Sequence, residues 1–230
     1  LVIPKVNAAF ACINGQNIQF GDSSTIQTGS ISPTWKFGDN TVSSLKNPSK
    51  KYASAQAFTV WLIETSDFGC VDSASIKLFL NPKPNPSFSI NDTGQCLNAN
   101  NFVFTNKSVI QSGTITSKWN FGNGASQTAQ NAFQNYLNYG TYRVTLLVTS
   151  DSGCVDSSYV DVVVHPMPIA GFSVNAREQC LKGNQFQFTN NSSIASGSLN
   201  YKWRFGDTAK STQSAPSHTY GSFGTFMVWL

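Results

Sequence analysis

An all-β fold of tandem β-sandwich modules is what this sequence predicts, on three observations. A short aromatic motif recurs at fixed spacing, no segment carries sustained helical periodicity, and the composition is polar yet rich in aromatics. The motif reads Trp35-Lys36-Phe37-Gly38-Asp39, Trp119-Asn120-Phe121-Gly122-Asn123 and Trp203-Arg204-Phe205-Gly206-Asp207, with a spacing of 84 residues. Trp and Phe two apart point to the same face of a strand, so both enter one core. The residue between them faces water. Gly tolerates positive φ, and Asp or Asn bonds its own backbone, so the motif ends in a tight turn.

A chain of 230 residues allows one large domain or two ordinary ones. The internal period overrides that prior and divides the chain into residues 1–81, 82–165 and 166–230. Modules this small bury modest cores, so covalent staples would help them. Charged residues make up 11% and aromatics 13%, which fits a polar-surfaced β protein and not a disordered one. The net charge is +4 with no run of Lys or Arg, which gives a nucleic-acid partner little support. No apolar stretch approaches the length of a membrane span, so direct membrane insertion is not expected. The chain opens on Leu1 and closes on Phe226-Met227-Val228-Trp229-Leu230, inside an expected strand. It therefore reads as a piece of something longer, with the third module cut before its last strand.

Within the second module the strands follow from alternation and turn residues: 87–90, 101–106, 115–121, 125–127, 132–136, 141–150 and 155–165. The run Thr141 to Val148 is β-branched and aromatic throughout, and Asp151-Ser152-Gly153 turns it into the next strand. Seven short strands with turns every ten or so residues give an immunoglobulin-like sandwich, repeated in a linear array. Prolines 82, 84 and 86, and then 166 and 168, mark short stiff links. Ahead of Cys12 the sequence suggests a register shift. Pro4-Lys5-Val6-Asn7 and Phe10 match Pro82-Lys83-Pro84-Asn85 and Phe88, as though the first module lacked six residues there.

Five cysteines fall in two columns, Cys12/Cys96/Cys180 and Cys70/Cys154. Without Cys-x-x-Cys spacing they point to disulfides and an oxidising compartment, not to zinc. Pairing within a module would give Cys12–Cys70 and Cys96–Cys154. The two columns, however, lie at opposite ends of such a sandwich, farther apart than a bridge allows. In a head-to-tail array Cys12 could instead meet Cys154, stapling a junction. Both pairings stay open, and either would stabilise by about 2–4 kcal/mol.

The motif Trp-x-Phe-Gly-Asp, followed by Tyr-x-x-x-Gly-Thr-Tyr-x-Val, resembles the polycystic kidney disease (PKD) domain. The second element stands as Tyr136 to Val144 and as Tyr220 to Val228. The first copy departs from it, with Gln56-Ala57-Phe58 where Gly-Thr-Tyr is expected. The cysteine preceding Asn-x-Phe-x-Phe-Thr-Asn, with Gly-Cys-Val-Asp later, is similar to repeats of Bacteroidetes surface proteins. Giant adhesins of flavobacterial gliding motility are among them. The resemblance implies a secreted, cell-surface protein: a non-catalytic repeat region used in adhesion and gliding. The alternative it implies is a PKD spacer or glycan-binding module in a secreted protease or polysaccharide-degrading enzyme.

Expected partners are neighbouring repeats of the same chain, surface glycans, and the cell-surface secretion or motility machinery. No enzyme is expected: His165 and His218 are lone histidines, and Asp/Asn exchange in the Asp39/Asn123/Asp207 column would disable an acid or base. No cofactor is expected either. Asp67/Asp72 and Asp151/Asp156 are the candidate Ca²⁺ ligands, but two carboxylates fall short of six to eight oxygens. Trp35, Trp119, Trp203 and Phe37, Phe121, Phe205 read as core. Trp61 and Trp229 share an outward column and are candidate glycan contacts. Asp72-Ser73-Ala74 and Asp207-Thr208-Ala209 are similar to the Bacteroidetes O-glycan acceptor motif, making Ser73 and Thr208 candidate glycosylation sites. Asn91, Asn106 and Asn190 fit the N-glycan pattern.

Overall fold

Alternation of apolar and polar side chains decides which face of each strand turns inward. In this computed structural model, which describes residues 1–13 and 17–230, every regular element among them is a strand. The first repeat holds β1 (Pro4–Val6), β2 (Phe10–Ile13), β3 (Asn17–Asp22), β4 (Ile31–Lys36), β5 (Val42–Ser43), β6 (Ser49–Lys51), β7 (Ala57–Ser66) and β8 (Val71–Pro82). They form one sheet in the order β1-β3-β6 and a second in the order β2-β8-β7-β4-β5. Along β7, Phe58, Val60, Leu62 and Glu64 are buried while Thr59 and Trp61 face out. The inner faces of both sheets meet in one cluster: Ile18 and Phe20 from one, Trp35, Val60, Leu62 and Leu78 from the other.

The second repeat comprises β9 (Phe88–Ile90), β10 (Gly94–Cys96), β11 (Phe102–Asn106), β12 (Ile115–Asn120), β13 (Ser126–Thr128), β14 (Ala132–Gln134), β15 (Gly140–Ser150) and β16 (Val155–His165). The third has β17 (Phe172–Val174), β18 (Phe186–Asn190), β19 (Trp203–Arg204), β20 (Lys210–Ser211) and β21 (Ser217–His218). By packing, the described chain separates into two compact units. One comprises Leu1–Ile90, Val103–Ala132 and Arg143–Val160; the other comprises Asn91–Phe102, Phe133–Tyr142 and Asp161–Leu230. The second repeat contributes to both. In the second unit the third repeat builds its own core from Phe188, Trp203, Phe205 and Tyr220.

The expected register shift is absent. Val6 pairs with Phe20, Ile90 with Phe104 and Val174 with Phe188, so the spacing of 84 holds from β1 onward. Pro4 therefore stands where Phe88 and Phe172 stand, and the match of Pro4-Lys5 to Pro82-Lys83 is a coincidence of composition. Phe10 corresponds to Gly94, not Phe88. It lies in β2, opposite Phe79, and the two rings stack with centroids 5.0 Å apart. Six residues are not missing; the first repeat has a proline where the others place an aromatic ring.

β10 was not legible in the sequence. It is three residues long, without alternation, and it pairs in parallel with the distant β16. Its Gln95 supplies what pattern cannot: Oε1 accepts from Asn101 N at 2.7 Å, and Nε2 donates to Asn101 O at 3.0 Å. Gln179 makes the same pair of bonds to Gln185. The departure at Gln56-Ala57-Phe58 leaves the local packing intact. Phe58 packs on Tyr52 with ring centroids 4.2 Å apart, as Tyr142 does on Tyr136 at 4.0 Å and Phe226 on Tyr220 at 3.9 Å.

The three motif tryptophans, Trp35, Trp119 and Trp203, are wholly or almost wholly buried, and a cavity in place of one would cost about 3–5 kcal/mol. Their indole N–H groups are not treated alike. Trp119 donates to Ala129 O at 3.1 Å and Trp203 to Gln213 O at 2.9 Å, whereas Trp35 Nε1 is buried without an acceptor. An orphaned buried donor carries a desolvation cost of about 1–3 kcal/mol, which among the three motif tryptophans falls on Trp35.

Candidate functional site

After each Trp-x-Phe strand the chain must reverse tightly, and the motif's Asp or Asn arranges it. Asp39 Oδ1 accepts from Thr41 N at 3.2 Å, Asn123 Oδ1 from Ala125 N at 3.1 Å, and Asp207 Oδ1 from Ala209 N at 3.1 Å. This side-chain turn needs only an acceptor oxygen, which explains why Asp and Asn exchange. The second carboxylate oxygen recruits a partner where one is offered. Lys50 Nζ lies 2.7 Å from Asp39 Oδ2, and His218 Nε2 lies 2.7 Å from Asp207 Oδ2. Burial would raise Asp39, but bonds from Lys50 and Thr41 outweigh it and hold its carboxyl below the usual range. Asp207 is held low in the same way by His218 and the Ala209 amide.

His218 thus occupies the position of Lys50 and Gln134. It stacks on Phe205 with ring centroids 4.3 Å apart, and its job is to brace a turn. Lys50 plays the same part in the first repeat, whereas Gln134 donates to Asn135 O at 2.6 Å; the sequence alone did not reveal either. His165 ends β16 and accepts a backbone bond from Leu97 N at 2.8 Å.

Thr208 sits in the same turn with φ of 76°, where Asn40 has 66° and Gly124 has 88°. A β-branched residue is poorly suited to the left-handed region. Thr208→Asn is expected to stabilise the third repeat by about 1 kcal/mol by relieving that strain, read as slower exchange of its core amides. Unchanged or faster exchange would show that the turn carries no strain. Thr208 and Ser73 are both exposed. Of the N-glycan candidates, Asn91 donates its amide to Asn101 O at 2.9 Å, and Asn106 donates to Ser117 Oγ at 2.7 Å.

In the first unit, Cys12 on β2 is bonded to Cys154 in the turn between β15 and β16, with Cα atoms 5.5 Å apart. The within-module pairs Cys12–Cys70 and Cys96–Cys154 do not form; Cys70, Cys96 and Cys180 are free and exposed. Cys154 is fully buried. Around the bridge, Lys83 Nζ lies 3.1 Å from Asp156 Oδ2, and Ala55 N donates to Gln111 Oε1 at 3.4 Å. A cleft of about 220 Å³ beside it is lined by Gln56, Phe79, Asn81, Gly113, Asp151 and Ser152.

The carboxylates weighed for Ca²⁺ have other work. Asp67 accepts from Ser30 N at 3.1 Å and Asp151 from Thr114 N at 2.8 Å, so each closes the loop whose glycine, Gly29 or Gly113, adopts positive φ. The Thr114 amide and neighbouring hydroxyls hold Asp151 below the carboxylate range, and the Ser157 amide and Lys83 hold Asp156 below it. Asp72 accepts from Ser73 N. Among the described residues no three His, Cys, Asp or Glu side chains gather as metal ligands would.

Trp61 and Trp229 face outward, 44% and 61% exposed. Trp61 lies opposite Lys36 and Ser75, while Trp229 shares a shallow surface with Lys202 and Arg204. Exposed rings beside polar groups can stack on sugars. The sequence reading missed two buried polar features. Asn100 and Asn184 each donate to the carbonyl of Tyr136 or Tyr220 and accept from its amide, clamping the chain there. Their shared column was the available signal. Glu64 is 3% exposed, and burial, then the charge of Asp22 and a hydrogen bond with it, pushes it up to about 7.

A family model described as the PKD domain matches residues 2–79, 81–164 and 166–230. The chain belongs to the PKD domain family. The PKD1 domain of Vibrio cholerae metalloprotease PrtV is 31% identical, covering 36% of this chain and 96% of that one, with a TM-score of 0.32. The PKD1 domain of Vibrio anguillarum Epp is 26% identical, covering 36% and 93%, also with a TM-score of 0.32. The three-domain titin structure I67–I69 is 13% identical, covering 93% and 82%, with a TM-score of 0.37. Tandem PKD domains are structural or spacer modules, and PKD and immunoglobulin-like domains are typically non-catalytic. The Cys12–Cys154 bridge therefore joins one PKD domain to the next.

Proposed function

We propose that these PKD domains are a load-bearing, non-catalytic stretch of a large cell-surface adhesin, used in adhesion and gliding. The observation behind this reading is the Cys12–Cys154 bridge, which ties consecutive domains covalently. A spacer that only separates two activities gains little from such a brace, whereas a chain pulled between cell and substratum gains resistance to extension. Disulfides of this kind persist outside the cytosol, which supports a secreted, surface-exposed location. Many copies in series would let weak contacts add up, including contacts of Trp61 and Trp229 with surface glycans. The cell-surface secretion or motility machinery would be the other partner. No cofactor or Ca²⁺ is needed for this work.

The second reading is a spacer in a secreted enzyme, prompted by the metalloprotease that carries the PrtV domain. The deciding experiment removes the three domains in frame from the parent gene and follows the cells. Loss of surface attachment and gliding, with the parent detected on intact cells by antibody, is the expected result. Normal attachment together with a loss of secreted protease or polysaccharide hydrolase activity would overturn the adhesin reading in favour of the spacer.

A further inference from the structure

The face of the first repeat that corresponds to the bridged face of the second is prebuilt but uncovered. Adding 84 to Gln27, Gly29, Asp67, Cys70 and Asp72 gives Gln111, Gly113, Asp151, Cys154 and Asp156. In the second repeat these residues receive the end of the first: Gln111 takes Ala55 N, Asp156 takes Lys83, and Cys154 bonds Cys12. In the first repeat the same loop is closed by the same device, Asp67 accepting from Ser30 N as Asp151 does from Thr114 N. Yet Cys70 is exposed where Cys154 is buried, and Phe68 and Val71 beside it are exposed as well.

A second observation points the same way. A cleft of about 140 Å³ is lined by Leu1, Val2, Ile26, Glu64, Cys70 and Val71. Glu64 is buried there beside Asp22, which together with burial raises its carboxyl toward neutrality. Ser24, Thr25, Ser66 and Asp72 also line it, so the cleft suits an occupant that brings both apolar surface and hydrogen-bonding groups.

We infer that this face docks the trailing end of another PKD repeat, closed by a disulfide from Cys70 to that repeat's cysteine in the Cys12 column. The occupant brings a basic residue to Asp72, as Lys83 comes to Asp156, and a loop like Ala55–Ala57 to Gln27. Cys96 and Cys180, which share the column of Cys12, take the complementary role toward faces of the Cys154 type. The bond forms by oxidation of two thiols, with an extracytoplasmic thiol oxidase or a small-molecule disulfide accepting the two electrons and two protons. The inference holds for an adhesin and for an enzyme spacer alike, so its failure and that of the adhesin reading are separable.

The test is non-reducing peptide mapping of the parent protein taken from its source cells, with free thiols alkylated before digestion. The expected result is loss of alkylation at Cys70, with its peptide joined to one carrying a Cys12-type cysteine from a PKD repeat other than the three in residues 1–230. Cys70 recovered alkylated, joined to Cys96 or Cys180 of this same chain, or capped by glutathione would overturn the inference.

Discussion

Pulled from its two ends, the oxidised chain is expected to lengthen by about 480 Å less than the reduced one, the reach of the 142 residues between Cys12 and Cys154 at roughly 3.4 Å each. The bridge offers a covalent path that bypasses everything between the two cysteines. Force entering at Leu1 passes through Cys12 to Cys154 and leaves through β16 and the third repeat. Strands β3 to β8, and the second repeat up to the turn after β15, then carry no tension while the bond lasts. Single-molecule extension with and without reductant reads the difference directly, and Cys12→Ser should behave as the reduced chain does. Equal lengths in both redox states would mean that the bridge is absent in solution. At equilibrium the same bond restricts the unfolded chain, so reduction should also cost the first repeat about 2–4 kcal/mol.

Gly122→Ala is expected to destabilise the second repeat by about 2–4 kcal/mol, a positive-φ penalty plus a steric one. Gly122 has φ of 77°, which an L side chain adopts reluctantly. A Cβ there would also stand 2.7 Å from Arg143 O and 2.9 Å from Arg143 N, backbone atoms of β15 that cannot swing aside. Gly38 and Gly206 face the backbone of residues 59 and 227 in the same way. Hydrogen exchange resolved by peptide should place the loss in β12 and β15 and leave the first repeat's β4 and β7 unchanged. A loss under about 1 kcal/mol would mean that the turn relaxes and that the motif's glycine is not required by sterics.

Much of this was legible because it is local. Trp and Phe at a spacing of two, Gly before Asp or Asn, and β-branched runs such as Thr141 to Val148 each act over a few residues. Chain sterics and turn bonding fix those outcomes wherever the segment lies. Period arithmetic then extended one module to three, and it placed Cys12 and Cys154 in different columns. It misled only ahead of Cys12, where a repeated Pro-Lys looked like alignment. Core geometry put Pro4 in the Phe88 position instead, because β1 must pair with β3 in the register that buries Phe20.

What the sequence determined by itself was the all-β class, the 84-residue period, the buried tryptophans and the turns that follow them. Tertiary structure alone decided the partner of Cys12, the parallel strand at Gly94–Cys96, and the clamp that Asn100 makes on Tyr136. It also decided that His218 braces a turn and that Glu64 is buried beside Asp22. Each of these joins residues far apart in the chain. Such contacts depend on how sheets and neighbouring repeats pack, and no propensity of a single segment encodes them.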